Sequence, residues 1–106
     1  QGRAHFQARR FREAAQAYEQ ATRLAPTNPG IWNALGMARL QAGDNAGAVT
    51  AYQRAVQLAP TTAGFHAALG RAYFQSGNRA SARTEWERAL QLDPNNADAR
   101  TGMSRL

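Results

Sequence analysis

From Pro29 to Ala42 the apolar residues Ile31, Leu35 and Ala38, with Trp32 beside them, return every three or four positions. That is the 3.6-residue period of a helix with one buried face. Asn28 followed by Pro29 marks its start, because the Asn side chain accepts an orphan backbone N–H and Pro has none to leave unpaired. Gly43 suits the left-handed residue that closes a helix, and Asp44 can cap the next one. A second helix is predicted from about Asn45 to Ala59, with Ala48, Tyr52 and Ala55 on one face and Pro60 blocking its continuation. Two helices joined by so short a link must pack antiparallel.

The pattern repeats. Pro26, Pro60 and Pro94 stand 34 residues apart, and rows of that period bring the same residues into columns. Gly2 aligns with Gly36 and Gly70, Gln7 with Gln41 and Gln75, Ala14 with Ala48 and Ala82. Tyr18 aligns with Tyr52 and Trp86, Ala21 with Ala55 and Ala89, Leu24 with Leu58 and Leu92. The small pairs Gly36/Ala48 and Gly70/Ala82 leave room for a close helix crossing, and Tyr52 and Trp86 are expected to fill the space beside it. Burying such a ring is worth roughly 1.5 to 3 kcal/mol by area, so these aromatics are expected to dominate each interface. A stacked array builds a surface for contact, which directs the search for function to a groove rather than a catalytic pocket.

Trp32, Leu35 and Gly36 followed by Ala48, Tyr52, Ala55 and Pro60 resemble the tetratricopeptide repeat (TPR). Leu69, Gly70, Tyr73, Ala82, Trp86, Ala89 and Pro94 match in the next row, so the resemblance covers essentially the whole chain. The related pentatricopeptide repeat has a period one residue longer and lacks the Leu-Gly step at Leu35 and Leu69. The resemblance implies an all-α protein of antiparallel helix-turn-helix repeats stacked as a right-handed TPR superhelix, an α-solenoid. Residues 1–28 then form a partial repeat, 29–62 and 63–96 full repeats, and 97–106 the start of a further or capping helix with Asn96 as its cap. By that alignment Gln1 falls inside a helix, and the chain reads as an excerpt of a longer protein.

Several residues depart from the pattern. Arg9 stands where Gly43 and Gly77 stand, and a left-handed Arg costs about 1 to 2 kcal/mol, so the first turn is expected to be looser than the others. His66 replaces the ring of Trp32, and Arg39 that of Tyr73. Arg79 and Arg83 occupy columns that hold Phe11 and Ala15, where they would face a missing neighbour or a change in the array.

Composition narrows the chemistry. All 13 basic residues are Arg and Ala is abundant, a bias that suggests a GC-rich bacterial genome. The net charge of +6 favours acidic partners. No cysteine is present, which excludes disulfides and thiolate chemistry and leaves both bacterial cytoplasm and periplasm open. No apolar run approaches the roughly 20 residues of a membrane span, so this segment is not expected to insert into a membrane.

Catalytic signals are missing. His5 and His66 fall in different columns, and neither a metal-ligand spacing nor a phosphate loop occurs, so no metal, cofactor or catalytic site is expected. His66 reads as a packing residue. Glu85 and Glu87 are two apart on a helix and point in different directions, as a solvated acidic patch. Arg3, Arg9, Arg10 and Arg12 cluster as a nucleic-acid face would, but most aromatics are committed to packing columns instead of interleaving with them, so nucleic acid is not the expected partner.

In TPR arrays the leading helix of each pair lines the concave face. The resemblance places Arg3, Phe6 and Gln7 there from the first row, and Asn33, Met37, Leu40 and Gln41 from the second. It adds Ala67, Arg71, Phe74 and Gln75 from the third and Thr101 and Arg105 from the last segment. Asn33, Met37 and Gln41 are i, i+4 and i+8, which independently puts them on one helical face. Gln7, Gln41 and Gln75 offer amides to a peptide backbone, Arg3, Arg71 and Arg105 offer carboxylate partners, and Phe6, Leu40 and Phe74 form an apolar strip. The expected partner is a protein or peptide with an amphipathic or extended acidic segment. The alternative is that Leu40 and Phe74 cover a neighbouring helix and the arginines are merely solvated.

Some TPR modules hold a terminal carboxylate with Lys, Asn and Arg from three successive leading helices. Those columns here hold Arg3, then Ala34, then Gly64 and Ala68, or one repeat later Asn33 and Met37, then Ala68, then Asp98 and Gly102. Neither frame reproduces the clamp. The functional expectation is a protein-protein interaction module, a scaffold or assembly segment of a larger bacterial protein. Two other readings are a non-catalytic appendage of an enzyme such as a transferase, and self-association through open repeat ends.

Overall fold

The computed structural model describes the backbone from Gly2 to Leu106 and side chains from Arg10 onward. The expectations for Arg3, Phe6 and Gln7 as groove residues therefore lie outside the described side chains. Among the described residues six helices follow one another: α1 Gly2–Leu24, α2 Pro29–Gln41, α3 Asn45–Leu58, α4 Ala63–Gln75, α5 Arg79–Leu92 and α6 Ala97–Ser104. Helices α2 with α3 and α4 with α5 are the two full antiparallel pairs, and α6 packs on both helices of the second pair.

Side-chain caps set most of the boundaries. Asn28 accepts from Gly30 N and Ile31 N at 3.0 and 3.3 Å, Asp44 from Gly47 N at 2.9 Å, Asn78 from Ser81 N at 3.1 Å and Asn96 from Ala99 N at 2.9 Å. Each satisfies a donor that helix geometry leaves without a partner. At the tight turns Gly43 and Gly77 adopt φ of +89° and +88°. There Asp44 N donates to Arg39 O at 2.8 Å and Asn78 N to Tyr73 O at 2.9 Å, closing each helix with a bond that reaches back across its last turn.

The first row differs from expectation. Where a looser turn was expected at Arg9, α1 runs unbroken through it for 23 residues. The residues themselves explain this, since Arg9 is not a glycine and Arg10, in the column of the caps Asp44 and Asn78, carries only donors. Nothing in the local sequence ends the helix.

Packing follows the columns. Ala48, Ala55, Ala82 and Ala89 are wholly buried, and Tyr52 and Trp86 are each 3% exposed. A Cβ on Gly36 would lie 2.7 Å from the Tyr52 ring, and one on Gly70 2.6 Å from the Trp86 indole nitrogen, so only glycine permits these crossings. Gly102 of α6 presses on the other part of the same indole. The Trp86 Nε1–H donates to Ala67 O at 3.1 Å, which satisfies its one buried polar atom.

Candidate binding groove

Helix α4 presents Arg71, Phe74 and Gln75, and α6 with its C-cap presents Thr101 and Arg105. These five residues, all expected in the groove, line one hollow of about 240 Å³. Trp86 and Gly102 lie in its wall, and so does Asp98, at the N-terminal end of α6, where the helix dipole favours a carboxylate. Arg71 and Arg105 are exposed and, among the described residues, neither forms a salt bridge. Two guanidinium groups against one carboxylate leave this hollow positive. Burial pushes the Tyr52 hydroxyl up to about 12, an effect that the nearby Arg71 charge opposes.

The second row goes elsewhere. Asn33, Met37 and Gln41 line a separate, more apolar hollow of about 460 Å³ between α1 and α2, facing Phe11, Ala14 and Tyr18. Met37 is 54% exposed there. Among the described residues the Asn33 Oδ1 is buried without a hydrogen-bond partner.

Leu40 is a correction. It is buried among Ala48, Tyr52, Leu69 and Ala72, because α4 of the following pair packs across its column. Ala67, also expected on the groove face, is wholly buried, because Trp86 of α5 packs against it. Phe74 is divided between two roles. Its ring lies 5.7 Å from that of Trp86, tilted by 43°, and the Arg79 guanidinium sits 5.7 Å from its centroid. The expected apolar strip of Phe6, Leu40 and Phe74 is therefore interrupted at its centre. Arg79 has a neighbour in Phe74, where a missing one had been an expected reading.

His66 is a packing residue with polar work to do. It is 6% exposed, with Nε2 2.7 Å from Pro60 O and Nδ1 2.8 Å from Glu85 Oε1. Glu85 is thereby engaged and half-buried, unlike the exposed Glu87, so the expected solvated acidic patch holds only for the latter. Arg39, which replaces a ring, donates to Gly47 O at 3.0 Å and pairs with Glu19 at 3.2 Å. Its counterpart Tyr73 accepts from Gln53 at 2.8 Å, so the two columns touch in both rows with different chemistry. Sequence reasoning missed Asp98 and Trp86 as walls of the positive hollow. Asp98 was named only in a clamp column that it does not fill, and Trp86 only as a packing ring.

Among the described residues no group of side chains is arranged to hold a metal ion, and no helix is long and apolar enough to cross a membrane.

The first TPR of Spaghetti (RPAP3), solved bound to the HSP90 peptide SRMEEVD, is 25% identical, with a TM-score of 0.86 over 98% of this chain and 82% of that one. The Sgt2 TPR domain from Aspergillus fumigatus is 22% identical, with a TM-score of 0.85 over 98% of this chain and 70% of that one, a likeness of fold. An O-GlcNAc transferase from Thermobaculum terrenum is 28% identical, with a TM-score of 0.80; the match covers 94% of this chain but 20% of that enzyme. No curated protein sequence matches the chain. Two models of the tetratricopeptide repeat match, over residues 1–63 and 39–106, and with the columns, turns and crossings described above they establish that the chain belongs to the tetratricopeptide repeat family.

Proposed function

We infer that this chain is a protein-binding module that holds an acidic peptide segment in the hollow between α4 and α6. TPR domains are in general non-catalytic protein-protein interaction modules. One observation carries the finer reading: Arg71 and Arg105, from successive leading helices, open into one hollow and, among the described residues, have no salt bridge to satisfy them. Gln75 and Thr101 beside them supply donors and acceptors for a peptide backbone. The related Spaghetti domain is bound to a peptide carrying three carboxylate side chains, which supports acidic ligand chemistry. The three-helix clamp for a terminal carboxylate is not reproduced in this sequence, so the ligand is read as an internal acidic stretch.

The test is a titration of short acidic, neutral and basic peptides against the chain. Acidic peptides should bind, more weakly as salt rises, and Arg71→Glu should weaken them about 10- to 100-fold with the fold intact. Arg54→Glu, on α3 and hydrogen-bonded to Gln57 on its own helix, should change affinity little. Equal losses for the two variants would place the binding face elsewhere.

A second reading, a TPR appendage of a larger enzyme, is favoured by the similarity to part of the transferase. It leaves the groove and its chemistry as described and differs only in what the flanking chain does. In either setting the chain serves as a scaffold or assembly segment, and its arginine-only basic composition supports a bacterial source.

A further inference from the structure

The ring column is unevenly covered. Tyr52 and Trp86 are each 3% exposed, whereas Tyr18 is 38% exposed. What covers the two buried rings is the leading helix of their own pair: Gly36 lies against Tyr52 and Gly70 against Trp86. Four residues after Gly36, Leu40 fills the space among Ala48, Tyr52 and Ala72. One row earlier the same columns, Ala14, Tyr18 and Ala38, wall the apolar hollow of about 460 Å³ between α1 and α2. Ala14 is only partly buried there, while Ala48 and Ala82 are wholly so.

The residues that would fill this hollow by column are Gly2 and Phe6, the counterparts of Gly36 and Leu40, and the chain contains both. They do not fold back onto it, because α1 continues straight through Arg9 and Arg10. A fold-back would need the left-handed residue that Gly43 and Gly77 provide and the acceptor that Asp44 and Asn78 provide. Arginine supplies neither. The complement and its seat are thus present in one chain but held apart by the helix that joins them.

We propose that two copies exchange this segment: Gly2–Arg9 of one copy occupies the hollow between α1 and α2 of the second and receives the second copy's segment in return. Such an exchange is self-complementary and closes as a two-fold dimer. It uses the same column contacts that the other rows make within one chain, and it leaves α1 unbroken, avoiding a strained turn at Arg9. The buried Asn33 Oδ1 in the wall lacks a donor, and the exchanged segment carries donors in Arg3 and Gln7. A second copy is favoured over a foreign helix because the spacing of small residue and aromatic that the hollow requires is already written in this sequence.

The chain contains no cysteine, so introduced pairs report cleanly. By column, Phe6 should meet Ala38 as Leu40 meets Ala72. Mixing a Phe6→Cys chain with an Ala38→Cys chain under oxidising conditions should give a covalent dimer, and a chain carrying both should form covalent dimers too. Sedimentation should show the 11.5 kDa chain moving to twice its mass as concentration rises. Arg9→Gly combined with Arg10→Asp restores the turn of the other rows and should return the protein to single-chain mass. An internally bridged monomer, a wild-type chain that stays monomeric, a dimer that gives no Phe6–Ala38 cross-link, or one that persists in the Arg9→Gly, Arg10→Asp variant would each overturn the exchange.

Discussion

Trp32 and His66 occupy one column of neighbouring repeats, and each donates a ring N–H to the carbonyl of the proline six residues before it. Trp32 Nε1 reaches Pro26 O at 2.9 Å and His66 Nε2 reaches Pro60 O at 2.7 Å. Through that ring N–H α2 and α4 each grip the loop in front of them, whereas the same column of the last segment holds Arg100. His66 adds a second bond to Glu85, tying α4 to α5.

Replacing that donor should be costly. In His66→Phe an aromatic ring is kept, but Pro60 O and the half-buried Glu85 lose their partner. A loss of about 1 to 3 kcal/mol is expected in chemical denaturation. An unchanged midpoint would mean that neither bond contributes to the folded state.

Gly70 tests the crossing of α4 and α5. Any side chain there meets the Trp86 indole, which is itself held against Gly102 and bonded to Ala67 O, and so has no free direction to move. Gly70→Leu should cost about 1 to 3 kcal/mol or more by overpacking. A denaturation midpoint equal to that of the wild type would show that the pairing is wrong.

Two glycines with open space around them should respond in opposite directions. A Cβ meets nothing within 4 Å at either Gly64 or Gly77, but Gly77 has φ of +88°. Gly77→Ala should lower stability by about 1 to 2 kcal/mol through backbone strain alone. Gly64→Ala, inside α4, should leave stability unchanged or raise it by up to about 1 kcal/mol. Thermal melts of the two variants would separate backbone strain from packing, and equal melting shifts would count against the left-handed turn.

Alkaline pH should weaken the α2/α3 pair through Tyr52. Its hydroxyl is raised to about 12 by burial, so between pH 10 and 12 the folded chain holds a proton that the unfolded chain releases. Stability from this source is intact below pH 10 and falls as pH rises through 12, by up to about 3 kcal/mol. Tyr52→Phe should remove that part of the alkaline loss. A wild type and variant with parallel pH profiles would indicate that Tyr52 ionises freely.

Helices α2 to α5 were legible in the sequence because Asn28 and Asp44 mark starts, Gly43 and Pro60 mark ends, and the 34-residue period carries the same pattern into the next row. The unbroken α1 was half legible. Arg9 flagged an anomalous turn, yet a one-residue argument gives the cost of the turn and not the competing option of no turn, which needs no cap at Arg10. Leu40 was misplaced for a related reason, since a helical face shared with Met37 says nothing about the next repeat packing across it. The pairing of Arg39 with Glu19, parallel to Tyr73 with Gln53, joins residues 20 apart, and no single column announces it. The sequence reads the groove as one track along four leading segments. The structure divides it into an apolar part near α1 and a positive part near α6, because Leu40 is buried between them.

The central claim is that the positive hollow between α4 and α6 is where a partner binds. Nuclear magnetic resonance mapping with an acidic peptide tests it most directly, because each backbone amide reports its own surroundings. The expected result is that amides of Arg71, Gln75, Thr101 and Arg105, with the Trp86 indole N–H, shift together and saturate along one binding curve. Those of Arg54 and Arg88 on the outer helices should stay in place. Shifts concentrated on α3 and α5, with the α4 and α6 amides unmoved, would contradict the account.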